Sequence, residues 1–355
     1  MEVYLFILLV ILLTYILKGR FAVTNSGFFN NRLIRKETKL YLVFIGSLLF
    51  VISAFRDISV GIDTISYLWS FERIGYTVPD LSISLHSEYG YTLLEYLCRD
   101  TGVGFRGVLV FGAALYIIPV LYVIYKYSEN PYLSLFYFVT LDYFCFSMTG
   151  MRQCIALGIC LIAFEMALRK NIILFLLFVG SAVMFHSTAI VFLPVYFLQY
   201  FPIQKKYMFL FALFGLLCFV FRGYLVTILQ AMSRNYYDHM NVGGTGMYLY
   251  MLLTVVLAFI YGPKRKEKNV VKNLITYMMM VAVLIYPILQ FNPTVFRLHY
   301  YFSIMIILFI PTVLKNIRNA EVRFFFSYFF FFVAVYYFLE FTMENMGVNP
   351  YSFGM

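Results

Sequence analysis

Residues 148–187 read MTGMRQCIALGICLIAFEMALRKNIILFLLFVGSAVMFHS. Two apolar runs, 154–168 and 172–185, flank the basic pair Arg169-Lys170. Each run fits one membrane-crossing helix, and the basic pair marks the turn between them. A helical hairpin returns the chain to the face it left. Arg152, at the start of the first helix, and His186, at the end of the second, therefore fall on the same side of the membrane. Both runs are short, roughly 15 residues or ~23 Å at 1.5 Å per residue, against a hydrocarbon core of ~30 Å. Their polar ends are expected in a depression below the bilayer surface, a water-filled cavity that other Arg and His residues share.

The rest of the chain has the same character. Of 355 residues, 63% are apolar and only 12% are charged, with a mean hydropathy of +0.84. A soluble domain of this length cannot hide so much apolar surface. Long uncharged runs, not ten-residue alternation, argue for helices and against a closed barrel. The expectation is an all-α polytopic membrane protein of twelve spans, at roughly 2–17, 40–55, 106–125, 131–148, 153–168, 171–185, 187–201, 207–221, 247–261, 274–290, 298–314 and 324–341. It forms a single integral-membrane domain over 1–355, with a long outer loop 56–105, an outer loop 222–246 and a basic inner loop 262–273. No internal repeat is visible. No cleavable signal peptide is evident at the start, because positive charge follows the first apolar run instead of preceding it.

Charge sets the orientation. The net charge of +10 would point to nucleic acid in a soluble protein. Here the positive-inside rule is the simpler cause, and no nucleic-acid partner is expected. With both termini outside, nineteen of the 27 Lys and Arg residues fall in inner loops. The remaining eight are Arg56, Arg73, Arg99, Arg106, Arg152, Arg222, Arg234 and Arg297, and none is Lys. All four histidines, His86, His186, His239 and His299, lie on or near that outer face. Arg presents a fixed planar fork that binds phosphate or carboxylate bidentately. An Arg-only outer face thus points to a phosphate-type ligand, or else to ion pairs with Asp57, Asp63, Glu72 and Glu88.

Several positions stand out within this face. Arg56-Asp57, Gly61, Asp63 and Tyr67 follow the second span. They read either as an anion-binding Arg with carboxylates at a cavity mouth or as an interfacial ion pair with Asp63 capping a helix over 63–74. A second short helix is expected over 88–98. Arg152-Gln153 opens the fifth span, where a cation adds to the positive end of the helix; the plainer reading is snorkelling to headgroups. His186 ends a helix, where it serves either as a general base or as an interhelical hydrogen bond. Arg297 is again a cation at an outer helix start, and His299, two residues on, reads as structural. Trp69, the only Trp, and Tyr67 offer faces for sugar stacking or belong to the interfacial aromatic belt. Five cysteines show no ligand spacing and no paired framework. HExxH, CxxC, Walker and DxD patterns are all absent, so no metal and no cofactor is expected.

The order of motifs resembles the EpsG-like proteins, Wzy-type polymerases of bacterial surface polysaccharides. FRxxxxGxDTxxY (55–67) is followed by MRQxIA (151–156), FHxxA (185–189), FRxxxYF (296–302) and NPYSF (349–353). The resemblance implies a GT-C-like, metal-independent glycosyltransferase at the outer face of the bacterial cytoplasmic membrane. It implies transfer of a growing glycan from undecaprenyl pyrophosphate to a new lipid-linked repeat unit, for O-antigen, capsule or exopolysaccharide. The partners it implies are these lipid-linked oligosaccharides, the bilayer and a chain-length regulator, and it implies that arginines bind the pyrophosphates. On the residues themselves, Arg56, Arg152 and Arg297 are the expected pyrophosphate ligands. His186 is the first choice of base, Asp63 the second. Gln153, Tyr67 and Trp69 are expected to hold the glycan. The competing functions are a lipid-linked oligosaccharide flippase or transporter, and another surface-glycan transferase such as a ligase or acyltransferase.

Overall fold

A computed structural model describes residues 1–24, 31–75, 88–201, 205–224, 227, 244–262, 269–289 and 293–354. Among these, all regular structure is helical, apart from an isolated bridge between Arg56 and Phe353. Five helices are long and apolar enough to cross a membrane: Lys36–Ala54, Phe105–Tyr127, Met151–Leu168, Val270–Leu289 and Ala320–Asn345. A sixth is added if Arg297–Ser303 and Ile306–Asn316, bent by 41° at their break, form one span. The outward faces are apolar: Ile173, Phe324, Phe325 and Phe332 are 61–70% exposed. Water would not tolerate such a surface, whereas lipid does. The protein is a helical polytopic membrane protein.

The chain divides into two compact units. The first comprises Met1–Ala163, Leu176–Ile190 and Val333–Met355. Its helices are α1 (Glu2–Thr24), α2 (Asn31–Ala54), α3 (Thr64–Arg73), α4 (Tyr89–Asp100), α5 (Phe105–Tyr127), α6 (Pro131–Thr140), α7 (Tyr143–Thr149), most of α8 (Met151–Leu168) and most of α9 (Ile172–Phe185). Helix α2 lies along α5, α1 packs on α6, and α4 touches both α3 and α5. Close approach of α8 to α5 depends on Gly158, where a Cβ would stand 2.1 Å from the Leu115 carbonyl oxygen. Small residues serve this purpose at helix crossings in membranes.

Two expected spans are built differently. The run 131–148 is broken between α6 and α7. Asn130 Oδ1 caps α6 by accepting the Leu133 N–H at 3.2 Å, and Pro131 opens it. The break comes at Asp142, whose φ is +61°. Its carboxylate accepts the Tyr337 O–H at 2.9 Å and the Thr342 hydroxyl at 3.5 Å. These two residues bracket a π-helical turn, Phe338–Thr342, a common way to re-aim side chains within a helix. The run 187–201 forms a 3-10 turn, Ser187–Phe192, and then a single turn, Val195–Leu198.

A strap formed by residues 347–354 closes the first unit over the loop that follows α2. The Gly61 N–H donates to Gly347 O at 2.8 Å, Asp57 N–H to Ser352 O at 2.9 Å and Gly354 N–H to Phe55 O at 2.9 Å. Tyr4 and Tyr351 hydroxyls donate to Val348 O and Ile52 O at 3.1 and 3.0 Å.

The second unit comprises Phe164–Phe175 and Val191–Phe332. It contains α10 (Lys205–Val220), α11 (Thr245–Tyr261), α12 (Val270–Leu289), α13 (Ile306–Asn316) and most of α14 (Ala320–Tyr337). Helix α12 packs against α10, α11 and α13, with Phe219 stacked on Tyr248 at 4.4 Å. Most of the expected outer loop 222–246, and residues 263–268 of the inner loop, lie outside the described residues. All five cysteines are buried, free thiols.

Candidate active site

The site grows from the start of α8. Arg152 Nη1 reaches Glu88 Oε2 at 2.9 Å. The other oxygen, Glu88 Oε1, bonds the Nδ1 of His186 and accepts the Ser187 N–H at 3.4 Å. One carboxylate therefore joins the beginning of α8 to the end of α9. Two tyrosines flank the guanidinium: its carbon lies 5.4 Å from the Tyr67 ring centre and 5.6 Å from that of Tyr91, and the rings touch each other at 5.7 Å. Such faces attract a guanidinium electrostatically.

Burial alone would push the Glu88 carboxyl up. The hydrogen bond and charge of His186, then the charge of Arg152, outweigh it and hold Glu88 below its usual range. Glu88 stands at the N-cap of α4 with a left-handed backbone, φ +55°, and within the helix Tyr91 and Glu95 share one face at the spacing i, i+4. Glu95 is only 1% exposed. Its Oε2 accepts the Ser70 hydroxyl at 3.1 Å, and burial pushes its carboxyl up to about 7.

Arg56 is in a different position. It is 1% exposed. Nη1 donates to Ser53 O and Nη2 to Met148 O at 3.3 Å, while Nε finds no acceptor among the described residues. No described carboxylate pairs with it. Burial pulls it down to about 10, with Tyr67 opposing; it stays a cation at neutral pH. The same Met148 carbonyl accepts the Thr64 hydroxyl at 3.1 Å. It also excludes any side chain from Gly61, where φ is +91° and a Cβ would lie 2.1 Å away. Gly61 and Thr64 of the FRxxxxGxDTxxY stretch thus seat the loop on the residues just before α8.

The structure also explains part of the Arg-only outer face. Arg99 donates to the carbonyls of Phe71, Glu72 and Ile74 at the end of α3. Arg106 donates to Ala54 O at 3.3 Å and Arg56 O at 2.8 Å, at the end of α2. In each case the Nη1 of the guanidinium serves two or three of the carbonyls that a helix C-terminus leaves open. Arg56, Arg99 and Arg106 therefore serve helix ends.

The remaining expected residues are placed as follows. Asp63 is half-buried at the N-cap position of α3 and makes no side-chain capping bond. Asp57 is half-buried and held below its usual range chiefly by the Ser59 N–H and hydroxyl. Tyr67 points inward onto Arg152, and Trp69, two residues on, is 56% exposed. Gln153 is enclosed. Arg297 is half-buried and belongs to the second unit, in the 3-10 turn Arg297–His299. His299 is buried, with Nδ1 donating to Phe296 O at 2.7 Å, among the rings of Tyr286, Phe296 and Tyr300. His86, His239 and Arg234 lie outside the described residues. Glu88 appeared in the sequence only as one possible ion-pair partner, and Glu95 did not stand out at all. The signal for both was the spacing of carboxylates and Tyr91 at the start and along one side of a short amphipathic helix. Among the described residues, no three His, Cys, Asp or Glu side chains converge as a metal site.

This arrangement offers a half-exposed cation, an imidazole and a carboxylate side by side, which suits binding an anion next to a proton acceptor. The family model described as "EpsG family" matches residues 39–353. No curated protein and no solved structure matches the chain.

Proposed function

The chain belongs to the EpsG family, and from that premise we propose that it polymerises undecaprenyl-pyrophosphate-linked oligosaccharide repeat units into a bacterial surface polysaccharide. The observation that carries this reading is the meeting of Arg152 and His186 on one carboxylate, residues from two separate motifs of the resemblance. Arg152 binds the pyrophosphate of the donor, with Tyr67 behind it. Arg56 adds a fixed enclosed charge next to that loop. Arg297 is a further pyrophosphate ligand, proposed on its motif. Negative charge develops on the pyrophosphate as the glycosidic bond to it breaks, and preorganised guanidinium groups stabilise that charge. His186 takes the proton of the attacking sugar hydroxyl; Asp63 is the alternative base. Trp69, exposed on α3, and Gln153 hold the glycan. The reaction is proposed to need no metal. The site is proposed to lie at the outer face of the cytoplasmic membrane, an orientation that rests on the bias of Lys and Arg toward the opposite loops.

The test uses purified protein in detergent. Lipid-linked repeat units are extracted from host cells deleted for this gene and supplied with chelator and without nucleotide sugars. A ladder of lengthening products is expected. Arg152→Ala should lower its rate by at least 100-fold, the scale of losing one oxyanion-stabilising group. Lipid-linked units that cross vesicle membranes without elongation would instead indicate a flippase, and transfer to a non-lipid acceptor a ligase.

A further inference from the structure

We infer that Glu88 is the positioning residue for His186, holding its imidazole by Nδ1 so that Nε2 faces the acceptor hydroxyl. This rests on the reading of His186 as the base of glycan transfer.

Three observations carry it. First, an ionised carboxylate only accepts hydrogen bonds, and Glu88 is held ionised by its partners. His186 Nδ1, bonded to Glu88 Oε1, must therefore carry the hydrogen. In the neutral ring the lone pair then sits on Nε2, which bonds no described residue, and the side chain is 21% exposed. Second, the carboxylate is fixed from three sides. Arg152 Nη1 takes Oε2 at 2.9 Å, and the Ser187 N–H shares Oε1 at 3.4 Å. Third, the backbones of α4 and α9 meet just there. A Cβ at Gly90 would lie 3.1 Å from both the carbonyl of Met184 and the ring of Phe185. Gly90 lets α4 seat on the end of α9, so the carboxylate two residues before it reaches the imidazole. The His186 N–H is meanwhile tied back to Ala182 O at 2.9 Å.

In the transfer step, the acceptor oxygen bonds the anomeric carbon while its proton passes to His186 Nε2. The bond from the anomeric carbon to the pyrophosphate oxygen breaks, and its electron pair leaves with the pyrophosphate. The imidazolium formed lies against the Glu88 carboxylate, which stabilises it. A carboxylate behind an imidazole acts in this way wherever it selects the tautomer and opposes the charge.

The experiment combines kinetics with the ring's own spectrum. Glu88→Gln, shown to be folded by size exclusion and thermal melting, should lower kcat about 100-fold, at the upper end for losing such a partner. KM for the lipid-linked donor should stay within about threefold. In a His186→Ala background the same change should cost no more than about twofold, because residues acting as a unit are not additive. With only four histidines in the chain, 15N-histidine labelling and comparison with His186→Ala identify the His186 ring. Wild type should show the Nδ1–H tautomer and Glu88→Gln should lose it. Full activity of Glu88→Gln, an equal loss in the His186→Ala background, or an Nε2–H tautomer in wild type would overturn the inference. If wild type makes no polymer, the polymerase reading falls. The wild-type tautomer then still decides whether Glu88 orients His186, and it needs no variant that folds.

Discussion

Glu95 shows what enclosure does to a single side chain. Its carboxyl is pushed up from the ordinary 4.5 to about 7 because ionisation would place a charge where water cannot reach. The folded protein thus holds a proton that the unfolded chain releases above about 4.3. Stability from this group is complete at low pH and is lost as the pH rises from about 4.5 to about 7, by up to about 3 kcal/mol. Glu95→Gln should flatten that part of the curve and raise the melting temperature of the detergent-solubilised protein at pH 8. An unchanged pH dependence of melting would show that Glu95 is ionised in the folded state. Glu88 has the opposite sign. Its stabilisation is present above the usual carboxylate range and is lost as the pH falls through its lowered value. Both acids lie in the expected long outer loop 56–105. What the sequence did not show is that one would be kept protonated by burial and the other held ionised by partners.

Helix ends account for much of what looked like ligand chemistry. The helices expected over 63–74 and 88–98 appear as Thr64–Arg73 and Tyr89–Asp100. Asp63 stands at the N-cap position but makes no side-chain capping bond; at the other end of α3, Arg99 donates to the last carbonyls. Arg99→Gln removes a cation that binds three carbonyls at once. Charged hydrogen bonds are worth about 1.5–3 kcal/mol each, reduced here by partial exposure. Amide exchange at Phe71 to Ile74 should accelerate by about tenfold or more. Exchange unchanged there would mean that α3 is held by packing alone. The same reasoning separates Arg152 from its neighbours. Arg99 and Arg106 are engaged by carbonyls, whereas Arg152 meets Glu88 through Nη1 and keeps 42% of its side chain exposed, where a second anion can approach. Broken spans were harder to read. The run 131–148 is uniformly apolar around Asp142, and the Tyr337 hydroxyl and Thr342 that bond its carboxylate lie 195 and 200 residues away.

The membrane face that the Arg152–Glu88–His186 cluster occupies is a property of the whole molecule. Positive charge on the opposite loops argues for the outer face. Ile58, 43% exposed on the loop after α2, is a suitable reporter, and Lys170, exposed at the turn between α8 and α9, is its counterpart. In a cysteine-free background, Ile58→Cys should react with a membrane-impermeant maleimide added to intact spheroplasts. Lys170→Cys should react only after lysis. The reverse pattern would invert the protein and remove the outer-face reading.

Helicity, membrane residence and the pairing of Arg152 with His186 on one side were set by composition and periodicity. These properties depend on local apolar runs and on the cost of unsatisfied backbone in lipid, so they can be read along the chain. The identity of the group between that pair was decided elsewhere. Glu88 lies 98 residues from His186, and it arrives there because Gly90 lets two backbones touch. Enclosure of Arg56, the strap of residues 347–354 and the break at Asp142 have the same origin. Each depends on contacts between distant segments, where packing and desolvation act on pairs of residues that no local pattern links.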